Sequence, residues 1–353
     1  MDKNEKDVFM KARIKPITIK DLAEKAGVSA MSVSNALNNR GRLSEGTKRH
    51  IMKIAQELNY MPNLVAKSLR KAQTRTIGVI MSDSSQYVFS KLLLGIEQEA
   101  SKTGYSILLA NTDQKKDLEI KAIDLLVSKR IDGLLIAAPL AVGEGDIERL
   151  KSLKVPFVFL MRTSEFEGVE FVANDNLQGG YLGMKHLYET GERNFGFLPI
   201  DSPSGRKRME GCEKFLLGKN VSIKKYPIES SLPQIGDGYL AMKRLLARGF
   251  RNGAICCGCD LIAVGALKTI FEANLSIPED FRLIGYDDFD MAPYLRVPLT
   301  TIRQPTYQIG VEGFHLLINR LDQPDSPYHK IILEPELIVR NSTNKKPLQE
   351  RHG

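Results

Sequence analysis

Three of the four cysteines stand in one tetrapeptide, Cys256-Cys257-Gly258-Cys259. It contains the C-x-x-C spacing of thiol redox pairs and of half a zinc site. A zinc site needs two further ligands, and the remaining cysteine, Cys212, has no histidine paired with it nearby in sequence. The tetrapeptide therefore reads as a small-residue strand end in which buried cysteine acts as a small hydrophobe, and no metal is expected. The histidines, at 50, 186, 315, 329 and 352, form no recognisable pair, and His186 and His315 fall in helical segments. GxxxxGK(S/T), HExxH and GxSxG are all missing. The nearest dinucleotide-type string, GEGDIE at 143–148, lacks the third glycine and does not follow directly from a strand. No catalytic residue, no cofactor and no enzyme are expected.

What could do chemistry is charge, and it is unevenly placed. The 353 residues carry 50 Lys plus Arg against 42 Asp plus Glu. Residues 1–75 hold 16 basic and 7 acidic side chains, a balance of +9. The remainder holds 34 basic and 35 acidic, a balance of −1. A basic head on a neutral body is the pattern of a polyanion-binding module joined to something else. The longest apolar runs, such as 134-LLIAA-138, are far too short to span a bilayer, and the start MDKNEKD has no apolar signal region. A cytoplasmic protein without membrane contact is expected.

The elements that must carry this chemistry can be read in order. Residues 1–16 read as a flexible tail. TIKD opens a helix with Thr18 as N-cap and Asp21 reaching back, followed by Ile19, Leu22, Ala23 and Ala26 at helical spacing. Gly27 ends it where a positive φ is needed, and Ser29 caps a second short helix. A third helix from Ser44 puts Ile51, Ile54, Ala55 and Leu58 on one face. Two short helices joined by a glycine-containing turn form a helix-turn-helix plan. The second helix exposes small and polar residues that fit a major groove, and Lys20, Lys25, Arg40, Arg42, Lys48 and Arg49 are placed to meet phosphates. From Thr76 onward, apolar runs at 76–81, 106–110, 132–138, 155–160, 194–198, 254–257 and 281–287 alternate with amphipathic stretches. These stretches lie near 90–104, 115–130, 178–190, 206–218, 238–248 and 260–274. That alternation predicts parallel sheets covered on both faces, in two units, with ligands beyond the carboxyl ends of the strands.

The runs TIKDLAEKAGVSAMSVSNALNN and SEGTKRHIMKIAQELNYMPNLVAKSLR closely resemble the headpiece of the lactose-repressor (LacI/GalR) family of bacterial transcription regulators. The resemblance continues through RTIGVIMSD, ANTD, RIDGLLIAAP, NDNLQGGYLG, SIPEDFRLIGYDDFDMAPYLRVPLTTIRQP and EPELIVRNST, over roughly residues 17–343. It implies an α/β protein with an N-terminal helix-turn-helix headpiece and a two-lobed periplasmic-binding-protein-like core of doubly wound parallel sheets. The expected boundaries are a headpiece at 17–62, a hinge helix and linker at 63–75, and an effector-binding, dimerising core at 76–343. Within the core, the N-lobe takes about 76–174 and 303–334, and the C-lobe about 175–302 and 335–343. A tail of 344–353 follows. It has no leucine heptads, so a homodimer is the expected assembly.

By the resemblance, the residues that meet DNA are Thr18, Ser29, Ala30, Met31, Ser32, Ser34, Asn35 and Asn38 in the headpiece, and Asn63, Ala66 and Leu69 in the hinge. Ala30 and Met31 match the pair that faces the bases, and Leu69 the leucine wedged into the minor groove. Asn35 departs from the arginine most members carry; an asparagine prefers the N6 and N7 edge of adenine, so an altered operator step is expected. The effector positions implied are Ser82, Asp83, Phe89, Arg162, Arg208, Cys259 and Asp287. Arg208 and Asp287 match the arginine and carboxylate that grip ligand hydroxyls. Cys259-Asp260 replaces a common Asn-Asp, and Met161 stands where some sugar-responsive members have an acid. A pocket poorer in acceptors but keeping Arg162 and Arg208 leans toward a sugar acid or sugar phosphate. Redox sensitivity stays open at Cys259. The partners expected are double-stranded operator DNA and a carbohydrate-derived effector. A transport-type binding protein or an enzyme on the same body is the alternative, opposed by the basic head.

Overall fold

The computed structural model describes residues 17–38, 40–60, 73–137 and 143–344. The hinge residues Asn63, Ala66 and Leu69 and the tail segments 1–16 and 345–353 lie outside the described residues. The chain divides into two compact units, residues 1–74 and 75–353.

In the first unit, helix α1 (Ile19–Ala26) starts with a reciprocal cap. The Asp21 amide donates to the Thr18 hydroxyl (3.3 Å) and the Thr18 amide donates to the Asp21 carboxylate (2.7 Å). It ends at Gly27, whose φ of 66° places it in the left-handed region. Helix α2 (Ala30–Leu37) is capped by the Ser29 hydroxyl, which accepts from the Ser32 amide at 3.1 Å. Helix α3 (Glu45–Glu57) is capped in the same way by Ser44. Leu22, Ala23, Ala26, Val33, Ala36, Ile51, Ile54 and Ala55 close the core between the three helices. The helix-turn-helix plan and its caps are as the sequence predicts.

The second unit contains two sheets. In chain order its strands and helices are β1 (Thr76–Met81), α4 (Tyr87–Thr103), β2 (Ser106–Asn111), α5 (Lys116–Ser128), β3 (Gly133–Ala137), α6 (Glu144–Ser152), β4 (Phe157–Leu160) and β5 (Glu170–Asn174). There follow α7 (Asn176–Glu189), β6 (Phe195–Leu198), α8 (Pro203–Leu217), α9 (Ile235–Ala247), β7 (Gly253–Cys257), α10 (Asp260–Glu272) and β8 (Phe281–Asp287). The chain then adds β9 (Thr300–Arg303), α11 (Thr306–Asp322), β10 (Lys330–Leu333) and β11 (Glu336–Ile338). The first sheet is ordered β10-β5-β4-β3-β1-β2 and is parallel throughout. The second is β11-β9-β8-β7-β6, with only β11 antiparallel. The chain passes between the lobes three times, after β5, β9 and β10. Apolar clusters fill the space on both faces of each sheet, as continuous apolar parallel strands require.

Four strands and two helices go beyond the sequence reading. β10 is an edge strand whose residues alternate in exposure, and β9 is a polar TTIR run, so neither shows a continuous apolar signal. β5 abuts α7 with one intervening residue, and β11 is three residues long. Helix α6 buries only Ile147 and Leu150. Helix α11 is tied to β5 by a buried ion pair, with the Arg320 Nη2 3.0 Å and Nε 3.2 Å from the Glu170 carboxylate.

Candidate functional site

Two surfaces gather the residues singled out in the sequence. On α2, Val33 and Ala36 face the core. Ala30, Met31, Ser34, Asn35 and Asn38 recur at helical spacing on the other side. Met31 is 70 % exposed, an unusual placement for a large apolar side chain in so small a unit. Ser32 is held by Ser29, with the two hydroxyl oxygens 3.0 Å apart. Asn38 caps the helix, its Nδ2 donating to the Ser34 carbonyl at 2.7 Å. The Asn35 carboxamide folds over the turn at Gly41, where a Cβ would come within 2.9 Å of its Nδ2. Lys20, Lys25, Arg40, Arg42 and Arg49 are exposed in the same unit.

The second surface is a cavity of about 760 Å³ between the two sheets of the core. Its residues come from the carboxyl ends of the parallel strands: Ser82 after β1, Ala137 at the end of β3, Met161 after β4 and Asp287 at the end of β8. Four helix N-termini border it, at Gln86, Asn176, Ser202 and Cys259. Gln86 and Cys259 occupy N-cap positions without a side-chain capping bond, so their orphan amides add partial positive charge to the rim.

Arg208 and Asp287 are the charged side chains that line it. Arg208 is only 9 % exposed. Its Nε donates to Asn176 Oδ1 (2.9 Å), its Nη1 donates to the Gly258 carbonyl (2.6 Å), and the guanidinium sits 3.7 Å from the centre of the Tyr286 ring. Helix α8 can bring Arg208 there because Gly180 on α7 lets the two backbones touch. A Cβ on Gly180 would overlap the carbonyl oxygen of Arg208 itself. Asp287, with φ of 122°, accepts from Gln304 Nε2 at 2.5 Å. Burial pushes its carboxyl up to about 6, against the opposing pull of Arg208 and Gln304. Behind it, burial raises the Asp260 carboxyl as well, and Asp260 accepts from the Thr301 hydroxyl and the Phe289 amide. Ser82 is 1 % exposed and its hydroxyl has no partner among the described residues.

Ser82, Phe89, Arg208, Cys259 and Asp287 thus meet around one cavity. Asp83 and Arg162 do not line it. Asp83 turns back on its own chain, accepting from the Ser85 amide (2.9 Å) and hydroxyl (2.6 Å), which holds its carboxyl below the usual range. Arg162 lies on the other side of the strand end, over the Phe159 ring at 4.7 Å and within the field of Glu119 and Asp146. Met161 and Arg162 are successive residues, and the positive φ of Met161 (61°) turns the sulfur side chain into the cavity and the arginine away. Gln86, Gln114, Asn176, Ser202, Ser204 and Gln304 also line the cavity without a motif to announce them. Their common signal is position, just past a strand end. Tyr87 and Lys91 of α4 both reach Asp290 of the other lobe, at 3.1 and 3.2 Å.

The cysteines meet across segments distant in sequence. Cys212 on α8 places its sulfur 3.9 Å from that of Cys256 on β7, and all four thiols are free. Burial raises the Cys257 and Cys259 thiols, and the Cys256 neighbour and burial raise Cys212, so these three are inert small hydrophobes. Among the described residues no group of three or more His, Cys, Asp or Glu could hold a metal ion. Among them, no helix is long and apolar enough to cross a membrane.

A three-helix head with one polar, exposed helix, joined in one chain to a two-lobed core with a strand-end cavity, defines a ligand-responsive DNA-binding regulator. The family models agree: residues 18–63 match "Bacterial regulatory proteins, lacI family", and residues 74–334 match "Periplasmic binding proteins and sugar binding domain of LacI family". The chain belongs to the LacI family of bacterial transcription regulators. It is 32 % identical over 331 residues to the HTH-type transcriptional repressor PurR of Mannheimia succiniciproducens, covering 93 % of this chain and 99 % of that protein. It is also 32 % identical over 329 residues to the ribose operon repressor of Escherichia coli strain K12, covering 92 % and 99 %. Among solved structures it resembles the lac repressor dimer bound to operator and the anti-inducer ONPF, with a TM-score of 0.85 at 28 % identity over 93 % of this chain and 99 % of that one.

Proposed function

We propose that this protein is a transcriptional repressor that reads operator DNA with α2 and adjusts its operator affinity to a small sugar-like effector held between the lobes. The observation that carries the reading is the joining, in one chain, of the exposed α2 face to a cavity whose charged groups, Arg208 and Asp287, meet at strand ends. Ala30 and Met31 face the base edges, with the Met31 side chain suited to a thymine methyl, and Thr18, Ser29, Ser32, Ser34, Asn35 and Asn38 complete the contact. The exposed lysines and arginines around them fix the head on the phosphates and make binding steeply salt-dependent. Asn63, Ala66 and Leu69 act as a hinge segment at the centre of the operator.

The protein works as a cytoplasmic homodimer joined through the cores, which sets two α2 helices about one helical turn, ~34 Å, apart on a pseudo-palindromic site. Exposed Leu94 on α4 and Leu108 and Leu109 on the edge strand β2 supply apolar surface suited to that contact. Effector binding changes the angle between lobes at the three crossovers, and the Tyr87 and Lys91 contacts to Asp290 join the two lobes.

The effector is best matched by a sugar acid. With Arg162 turned away, one guanidinium serves the cavity, enough for a monoanion but little for a phosphate dianion beside Asp287. Four helix N-termini favour negative charge there, and a carboxyl titrating near 6 is readily neutralised next to an anion. The Ser82 hydroxyl and the Gln86, Gln114 and Asn176 amides offer donors and acceptors to ligand hydroxyls. A thermal-shift screen of sugars, sugar acids and sugar phosphates, followed by gel shift with the hits, tests this. Absence of any salt-dependent duplex binding would sink the repressor reading, and tight binding of a neutral sugar with none of acids would sink the effector reading.

A further inference from the structure

On the second lobe, away from the strand-end cavity, α7 and α8 end side by side. Between their last turns and the Gly191–Arg193 loop lies a concavity with about 860 Å³ of open space. Its floor is aromatic: Phe215, buried, meets the edges of Tyr181 and Tyr188 at ring-centre distances of 5.3 and 5.5 Å. Its rim is basic. The Arg193 guanidinium sits 3.6 Å from the centre of the Tyr188 ring, and its Nη1 donates to the Tyr188 and Glu192 carbonyls at 2.8 and 2.7 Å. The Lys219 ammonium lies 5.9 and 5.8 Å from the Tyr188 and Phe215 rings. Among the described residues, Lys185 forms an ion pair with Glu189 alone, at 3.8 Å. Lys214, also on the rim, has no carboxylate within ion-pair distance among the described residues.

The ordinary account of such a cluster is that cations settle at helix C-termini. Those helix ends do not neutralise the cluster. Each helix end supplies roughly −0.5 charge, so two of them and Glu189 offset about two of the four cations. Glu192 is already committed to the Arg193 and Asn194 amides and to Arg282. About two positive charges remain, on a body whose balance of charged residues is −1. One of the cations, Arg193, is immobilised, so little rotamer freedom is lost when it meets an anion.

We propose that this concavity is a second ligand site, separate from the effector cavity, for a phosphate monoester with a flat aromatic organic part, the chemistry of a nucleoside monophosphate. The phosphate, carrying close to two negative charges near neutral pH, matches the residual charge of Lys214, Lys219 and Arg193. The flat part rests on the Arg193 guanidinium, which the Tyr188 ring backs from the other side, where stacking is favoured.

The test uses the full-length protein and titration calorimetry with adenosine 5′-monophosphate, adenosine and inorganic phosphate as probes. The nucleotide is expected to bind at least tenfold more tightly than either fragment. The double variant Lys214→Ala/Lys219→Ala, at exposed positions of the second unit, should weaken it tenfold or more while leaving operator binding in a gel shift unchanged. Arg208→Ala, at a side chain that lines the effector cavity and not the concavity, should leave nucleotide binding intact. No nucleotide binding at millimolar concentration, equal binding of inorganic phosphate, or loss in Arg208→Ala but not in the double variant would each overturn the proposal. The last of these would leave the effector reading standing.

Discussion

Gly180→Ala is the most searching test of how the core positions its cavity. The new Cβ would overlap the Arg208 carbonyl, so α7 and α8 must separate by about 1 Å or more. Arg208 rides on α8, and its bonds to Asn176 and to the Gly258 carbonyl, at 2.9 and 2.6 Å, tolerate no such shift. Overpacking of this kind costs roughly 1–3 kcal/mol of stability. A misplaced guanidinium forfeits at least one charge-assisted bond to an anionic effector, worth roughly 1.5–3 kcal/mol, or about ten- to a hundredfold in affinity. Calorimetric unfolding should show a loss of a few degrees, and titration with the best sugar-acid hit a matching rise in Kd. Operator binding without effector should persist, because the headpiece is a separate unit. If the variant unfolds as the parent does and binds effector equally well, the claim that Gly180 sets the place of Arg208 is wrong.

Further outcomes follow from the same geometry. Because the Asp287 carboxyl is raised to about 6, the folded protein binds its proton more tightly than the unfolded chain. The stability this contributes is full below the ordinary value near 4 and is lost as pH rises through about 6. For an anionic effector, affinity should therefore rise as pH falls from 7 to 5.5; a fall over the same range in titration calorimetry would mean a neutral polyol that needs the ionised carboxylate. Arg320→Met leaves Glu170 buried without its partner and should cost about 3–5 kcal/mol in denaturant unfolding, against less than 1 kcal/mol for the exposed Lys121→Met. Ser29→Ala removes the cap of α2 and should cost about 1 kcal/mol of headpiece stability and weaken operator binding, measured by thermal unfolding and gel shift. A binding-site selection should return an operator that departs from the family consensus at the Asn35 step, and Asn35→Arg should restore that consensus; selection of the usual half-site by the parent protein would refute the assignment.

The local grammar of this protein is written in its sequence. Capping residues, a positive-φ glycine and 3.6-residue periodicity determine the three headpiece helices, because each signal acts within a few residues and needs no partner from elsewhere. Continuous apolar runs likewise mark the central strands, whose two faces are both covered. The confinement of net positive charge to residues 1–75 is a property of the chain alone. What the sequence could not supply is side-chain direction at strand ends. Met161 and Arg162 are neighbours, yet a single left-handed residue sends one into the cavity and the other toward Glu119 and Asp146. Cys212 and Cys256 are 44 positions apart and meet only because α8 packs on β7. Edge strands such as β10 carry no burial signal of their own, since one side of the ladder is open. The cavity, the raised Asp287 carboxyl and the basic, aromatic concavity between α7 and α8 are all products of tertiary packing. Each depends on distances between segments that the order of residues does not contain.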